Sequence, residues 1–114
     1  MKANPKTRTT LLLDNDEGVA QLADMFGLLG DPTRLRIILT CLQQPISVGE
    51  IAADLGSSPS LVSHHLRLLR AARVLRAERR GKQMFYSAAD EHIQCVIEDM
   101  VTHIGEPLDI EEAD

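Results

Sequence analysis

Between residues 16 and 29 the apolar side chains Val19, Leu22, Ala23, Met25, Phe26 and Leu29 recur at helical steps, with Asn15 or Asp16 where an N-cap belongs. Gly30 stops that run. Asp31-Pro32 opens a second helix, acid at the cap and proline at the first helical position, which continues through Leu35, Ile38, Leu39 and Leu42 until Pro45. Arg34 and Arg36 fall early in it, against the macrodipole preference, and read most simply as surface charge, a partner elsewhere being the alternative. Ser47-Val48-Gly49-Glu50 is a capping box ahead of Ile51, Ala52 and Leu55, so a short third helix is predicted to end at Gly56. Ser58 then caps a fourth helix that starts at Pro59 and runs to about Ala71. Helix, glycine turn and helix in this order form the helix-turn-helix pattern.

Residues 74–79 and 83–87 are strand-like and are joined by Arg80-Gly81-Lys82, where Gly81 supplies the positive φ of a tight hairpin. A last helical period follows within residues 89–107, carried by Ile93, Val96, Ile97, Met100, Val101 and Ile104. The predicted fold is mainly α with a small β-hairpin, a winged helix-turn-helix that forms a homodimer through its first and last helices. Residues 1–15 read as a flexible arm, 16–106 as the one folded domain, and the acid-rich 107–114 as a disordered tail. At 114 residues, with 44% hydrophobic and 3% aromatic content and no Trp, the core is small and aliphatic, and dimerisation would enlarge it.

The fourth helix has two different faces. Val62, Leu66 and Leu69 lie on one side, and Ser60, Ser63, His64, Arg67 and Arg70 lie opposite. Serine is a mediocre helix former, so a serine-rich polar face suggests recognition rather than surface stability. Short donors in the first turns suit base edges, and the later cations suit phosphate. His65 is expected to pack at the flank of the domain. The net charge of -5 is unevenly spread, because residues 64–82 hold seven Lys/Arg against Glu78 alone. A basic stripe on an acidic body is an electrostatic footprint for a polyanion. Arg79, Arg80 and Lys82 at the hairpin tip then read as a wing along a phosphate backbone. The expected contacts to double-stranded DNA are Ser58, Ser60, Ser63, His64, Arg67, Arg79, Arg80 and Lys82.

The last helix carries a second chemistry. His92 and His103 are eleven residues apart, so at about 100° per residue they share an azimuth, yet at 1.5 Å per residue they stand about 16 Å apart. One helix cannot bring both to one metal. Asp90 precedes His92 by two positions and Glu106 follows His103 by three, so each end carries half a site. An antiparallel twin in a two-fold dimer would complete two equivalent sites, each of two nitrogens and two carboxylates. Gly105 and Pro107 break the helix around Glu106, which leaves Asp109 or water as the alternative last ligand.

Cys41 and Cys95 are too few for a disulfide framework and fit a reducing compartment; both are expected to be buried and inert beside apolar helical positions. With no apolar run long enough for a signal peptide or membrane span, the reading is a soluble cytoplasmic protein. There is no glycine-rich phosphate loop, nucleophile elbow or Cys-x-x-Cys. Two His and two carboxylates could serve a small metalloenzyme, but four protein ligands leave no open position, and no Glu is placed as a base, so an enzyme is not expected.

Over residues 19–106 the chain resembles the ArsR/SmtB family of dimeric winged-helix metal-sensing repressors. The resemblance rests on Gly30-Asp31-Pro32-Thr33-Arg34-Leu35-Arg36-Ile37-Ile38, on Ser63-His64-His65-Leu66-Arg67-Leu68-Leu69, and on Arg80-Gly81-Lys82-Gln83-Met84-Phe85-Tyr86. The spacing Asp-x-His, ten residues, His-x-x-Glu is similar to the site on the last helix of the family's zinc and cobalt sensors, and falls on Asp90, His92, His103 and Glu106. What the resemblance implies is a repressor that binds an imperfect palindrome and releases it when metal binds. The third helix holds no thiol, unlike the arsenic and cadmium branches, so a nitrogen and oxygen site for zinc, cobalt or nickel is expected. The alternatives are a thiol-responsive repressor using Cys41 and Cys95, as in relatives that sense oxidants, and a winged-helix module that senses nothing.

Overall fold

The computed structural model describes residues 15–107. Its elements in chain order are α1 (Asp16–Leu29), α2 (Pro32–Gln43), β1 (Ile46–Ser47), α3 (Val48–Leu55), α4 (Pro59–Ala71), β2 (Leu75–Arg80), β3 (Gln83–Ala88) and α5 (Glu91–Gly105). They fall into two compact units that divide between Arg36 and Ile37, inside α2. The expected N-terminal arm and acidic tail lie outside the described residues, save Asn15 and Pro107 at their edges.

In the first unit, Asn15 caps α1, its side-chain oxygen accepting from the Glu17 and Gly18 amides at 2.9 and 3.4 Å. Asp16 and Glu17 in the first turn add the negative charge that a helix N-terminus favours. Val19, Leu22 and Phe26 form an apolar strip on α1 that stays open, Phe26 being 59% exposed. Asp31 caps α2, with Oδ2 accepting from the Arg34 amide at 3.0 Å. Arg34 is half-buried and not simply surface charge. Its Nη1 donates to the Leu28 carbonyl at 3.4 Å, so the cation sits against the last turn of α1, the negative end of that helix, which offsets its unfavourable position early in α2.

The second unit is built on an aliphatic core. Ile37, Ile38 and Cys41 of α2, Ile51 of α3, Val62, Leu66 and Leu69 of α4, and Val74 and Leu75 are all essentially inaccessible to solvent. Each large aliphatic side chain so buried contributes about 1.5–3 kcal/mol relative to exposure. The α3 capping box is complete: Ser47 Oγ accepts from the Glu50 amide at 3.3 Å, and Glu50 Oε1 accepts from the Ser47 amide at 3.3 Å. Gly56 takes the left-handed conformation at φ +63° that ends α3 and lets α4 turn away. α4 ends through Arg73, at φ +62°, with the Val74 amide bonded back to the Leu69 carbonyl at 2.9 Å. That six-residue closure is the Schellman pattern, here with arginine where glycine is usual.

The hairpin belongs to a three-stranded antiparallel sheet of order β1-β3-β2. Its third strand, Ile46–Ser47, is too short to show any alternation in sequence. Gly81, at φ +64°, forms the two-residue turn with Lys82. Asp90 caps α5, its Oδ1 accepting from the Ile93 amide at 3.0 Å, and Gln94 Nε2 ties α5 to the Leu42 carbonyl at the end of α2 at 3.3 Å. Only Ile97 of the α5 apolar stripe is buried; Val96, Met100 and Val101 are about half exposed and Ile104 is 78% exposed. No helix among the described residues is long and apolar enough to cross a membrane.

Candidate nucleic-acid face and metal half-sites

The face of α4 opposite the core presents Ser60, His64, Arg67 and Arg70 to solvent, with Ser63 half-buried beside them. Ser58 is exposed, but its hydroxyl accepts from the Leu61 amide at 3.2 Å, so its first task is to cap the helix. His65 turns inward and is half-buried, with Nδ1 unpartnered, its ring 5.7 Å from that of His64.

In the wing, register decides which cations point where. Arg79 is paired with Met84, Ala77 with Tyr86 and Leu75 with Ala88, and the burial of Leu75 marks that face as the inner one. Arg76, Glu78 and Arg80 stand on the other face with Gln83, Phe85 and Ser87. There Arg76 Nε donates to Ser87 Oγ at 3.2 Å, and Arg80 pairs with Glu78 at 3.3 Å while its guanidinium lies 5.0 Å from the Phe85 ring centre. Adjacent in sequence, Arg79 and Arg80 therefore serve opposite surfaces, and Arg80 is already engaged. Between the wing, α4 and the first residues of α3 lies a groove of about 380 Å³, lined by Ser63, Lys82, Gln83, Met84 and Tyr86. Gln83 and Tyr86 were not singled out in sequence; the register puts Tyr86 on the inner face with Met84, and Gln83, next to the turn, on the other.

At the start of α5, Asp90 spends one carboxylate oxygen on its cap, and His92 is exposed. At the other end His103 Nδ1 lies 4.0 Å from Glu106 Oε1, both side chains largely in solvent. Glu106 stands just past the helix, with extended backbone, and still reaches back to His103. Among the described residues no three His, Cys, Asp or Glu side chains converge within the chain on a point that could hold a metal. The donors that are present are imidazole and carboxylate, a set that suits zinc, cobalt or nickel.

The cysteines differ from expectation in one respect. Cys41 is buried at 1% exposure, and desolvation pushes its thiol up to about 12. Cys95 is exposed, not buried, because it lies on the solvent side of α5 beside the apolar stripe.

A helix-turn-helix whose second helix presents serines, histidine and arginines, followed by a cationic hairpin, defines a winged helix-turn-helix regulator rather than an enzyme. The family profile for bacterial regulatory proteins of the arsR family matches residues 31–77. A transcriptional repressor SmtB homologue of Synechocystis is 37% identical over 75% of this chain and 65% of its own length, so the chain spans slightly under two thirds of that relative. A cadmium resistance transcriptional regulatory protein, a CadC homologue of Staphylococcus aureus, is 33% identical over 78% of this chain and 74% of its own. In fold, the chain superposes with a TM-score of 0.74 and 21% identity on the homodimeric winged helix-turn-helix DNA-binding domain of a possible ArsR-family regulator from Mycobacterium bovis, covering 100% of this chain and 99% of that one. The chain belongs to the arsR family of bacterial regulatory proteins.

Proposed function

We propose that this chain is a metal-responsive transcriptional repressor that binds a palindromic double-stranded DNA operator as a homodimer and releases it when zinc, or cobalt or nickel, binds between subunits. The observation that carries the reading is on α5. The pairs Asp90/His92 and His103/Glu106 flank the exposed apolar residues Val96, Met100, Val101 and Ile104, so the helix that lacks a partner also carries the two half-sites. A second copy that covers this strip supplies the missing donors. Two relatives support the reading by name, one a transcriptional repressor and the other a cadmium resistance regulator. The homodimeric M. bovis domain supports the assembly through its fold.

The coupling is thermodynamic. If the DNA-free dimer binds metal more tightly, metal weakens DNA binding by the same factor. Metal binding also requires neutral imidazoles, so the response weakens as acid protonates them. DNA is held by Ser60, Ser63, His64 and Arg67 of α4, with Arg79 and Lys82 from the wing; Ser58 and Arg80 act mainly as cap and wing brace. The thiol-responsive alternative is not favoured, since Cys41 is sealed in the core and held as the neutral thiol.

Cobalt titration tests the ligand set directly. The expected spectrum is that of a low-symmetry nitrogen and oxygen site at one metal per chain, without a thiolate charge-transfer band, and His103→Ala abolishes it. A thiolate band that disappears in Cys95→Ser would replace this ligand set with a sulfur site.

A further inference from the structure

Between the second half of α2 and α5 lies an open cleft of about 730 Å³, a volume in the range of small-molecule sites. Leu39, Leu42 and Gln43 line it from α2, and Gln94, Glu98, Val101 and Thr102 from α5. Each set recurs at three- and four-residue steps, so each forms one face of its helix, and the two faces meet across the cleft. Residues two apart on a helix point about 200° apart, which puts Gln94 and Glu98 on the opposite flank of α5 from His92, Val96 and Met100. Gln94 Nε2 donates to the Leu42 carbonyl at 3.3 Å and to Glu98 Oε2 at 3.0 Å. Both partners only accept, so the orientation of the amide is fixed. Among the described residues Gln94 Oε1 and Glu98 Oε1 are left without a donor, Glu98 has no cationic partner, and no Lys or Arg lines the cleft. α2 ends at the same place, with no basic residue in its last turn to answer the negative end of its dipole.

We infer that this cleft binds a primary alkylammonium ion, its charged head on Glu98 and the unused oxygen of Gln94, its apolar body against Leu39, Leu42 and Val101. A cation answers the carboxylate and the helix end together, and N–H donors answer the open acceptor oxygens. A fully methylated head lacks those donors, and no aromatic ring lines the cleft to cage it. Three aliphatic side chains call for a body as well as a charge, which a bare inorganic cation does not have. The cleft shares no residue with the metal half-sites or with the DNA-binding face, so this site is independent of both.

The probe is n-hexylammonium chloride, titrated into the full chain by calorimetry and by NMR of isotope-labelled protein, with n-hexanol, hexanoate and hexyltrimethylammonium as comparisons. Hexylammonium is expected to bind saturably and to shift the Gln94 side-chain amide together with the backbone amides of Glu98 and Thr102. It should bind at least about tenfold more tightly than hexanol or hexyltrimethylammonium, the worth of hydrogen bonds to a charged group, and hexanoate should not bind. Glu98→Gln keeps the shape and still accepts from Gln94, so it should lose at least about tenfold in affinity with an unchanged melting temperature. Thr102→Lys sets an amine of the chain's own one turn from Glu98, a pairing that favours the helix, and should abolish binding. Three results would overturn the site: no binding by the parent, equal binding of hexylammonium and hexyltrimethylammonium, or unchanged affinity in Glu98→Gln. Shifts spread over acidic residues without saturation would overturn it too, since a protein of net charge -5 attracts any cation weakly.

Discussion

Burial keeps the Cys41 thiol from ionising, and this has a measurable sign. Its pKa is raised from 9.0 to about 12 in the folded chain, so above pH 9 the unfolded chain loses the proton first and stability falls as pH rises. The loss should reach up to about 1.4 kcal/mol per pH unit, and denaturation of Cys41→Val should lack that component. Iodoacetamide should label Cys95 in the native protein and Cys41 only after unfolding. Arg73 makes a second residue-scale case: it ends α4 in the left-handed region, where a side chain is strained by about 1–2 kcal/mol. Arg73→Gly should therefore raise stability by up to about 1 kcal/mol in urea titration, despite the added freedom of glycine in the unfolded chain. The caps Asn15, Asp31, Ser47 and Ser58 were legible in sequence because each acts within three residues of itself. The burial of Arg34 and the exposure of Cys95 were not, since both depend on what packs against a helix from elsewhere.

Among the elements, the wing departs most from its sequence. Arg79, Arg80 and Lys82 read as one cationic tip, but a strand turns successive side chains to opposite faces. Arg80 is matched by Glu78 and Phe85, and Arg79 is on the side that faces α4 and the groove. Arg79→Ala should thus weaken duplex binding by at least several-fold and reduce its salt slope, while Arg80→Ala changes affinity less than Arg79→Ala does, as measured by anisotropy at several salt concentrations. Equal losses would mean that the wing lies edge-on to the backbone. The helices were legible because their periods are long and their breakers strong; β1 was not, because a two-residue strand exists only through its pairing with Phe85 and Tyr86.

For the whole molecule, the question is what covers the open strips on α1 and α5. Their apolar residues give helical periods as regular as those of α4, yet Phe26, Met100 and Ile104 remain in solvent while Val62, Leu66 and Leu69 are buried. Periodicity shows that each helix has an apolar face but not whether this chain or a copy covers it. Met100→Glu should leave the monomer fold intact, since the side chain is already exposed, and yield monomers in sedimentation. Its affinity for a palindromic duplex should fall by about a hundredfold or more, because two half-sites are no longer engaged together. The pairs Asp90/His92 and His103/Glu106 were legible only as a spacing, and in the proposed dimer a second chain completes them as metal sites.

The central claim, that metal on α5 releases DNA, is tested most directly by anisotropy of a labelled duplex from the gene's own upstream region. The duplex is titrated with protein before and after zinc, then again with His103→Ala. Zinc is predicted to weaken binding by the parent by about 5–150-fold and to leave the variant bound. Equal binding with and without zinc in the parent would contradict the claim and reduce α5 to a dimer seam.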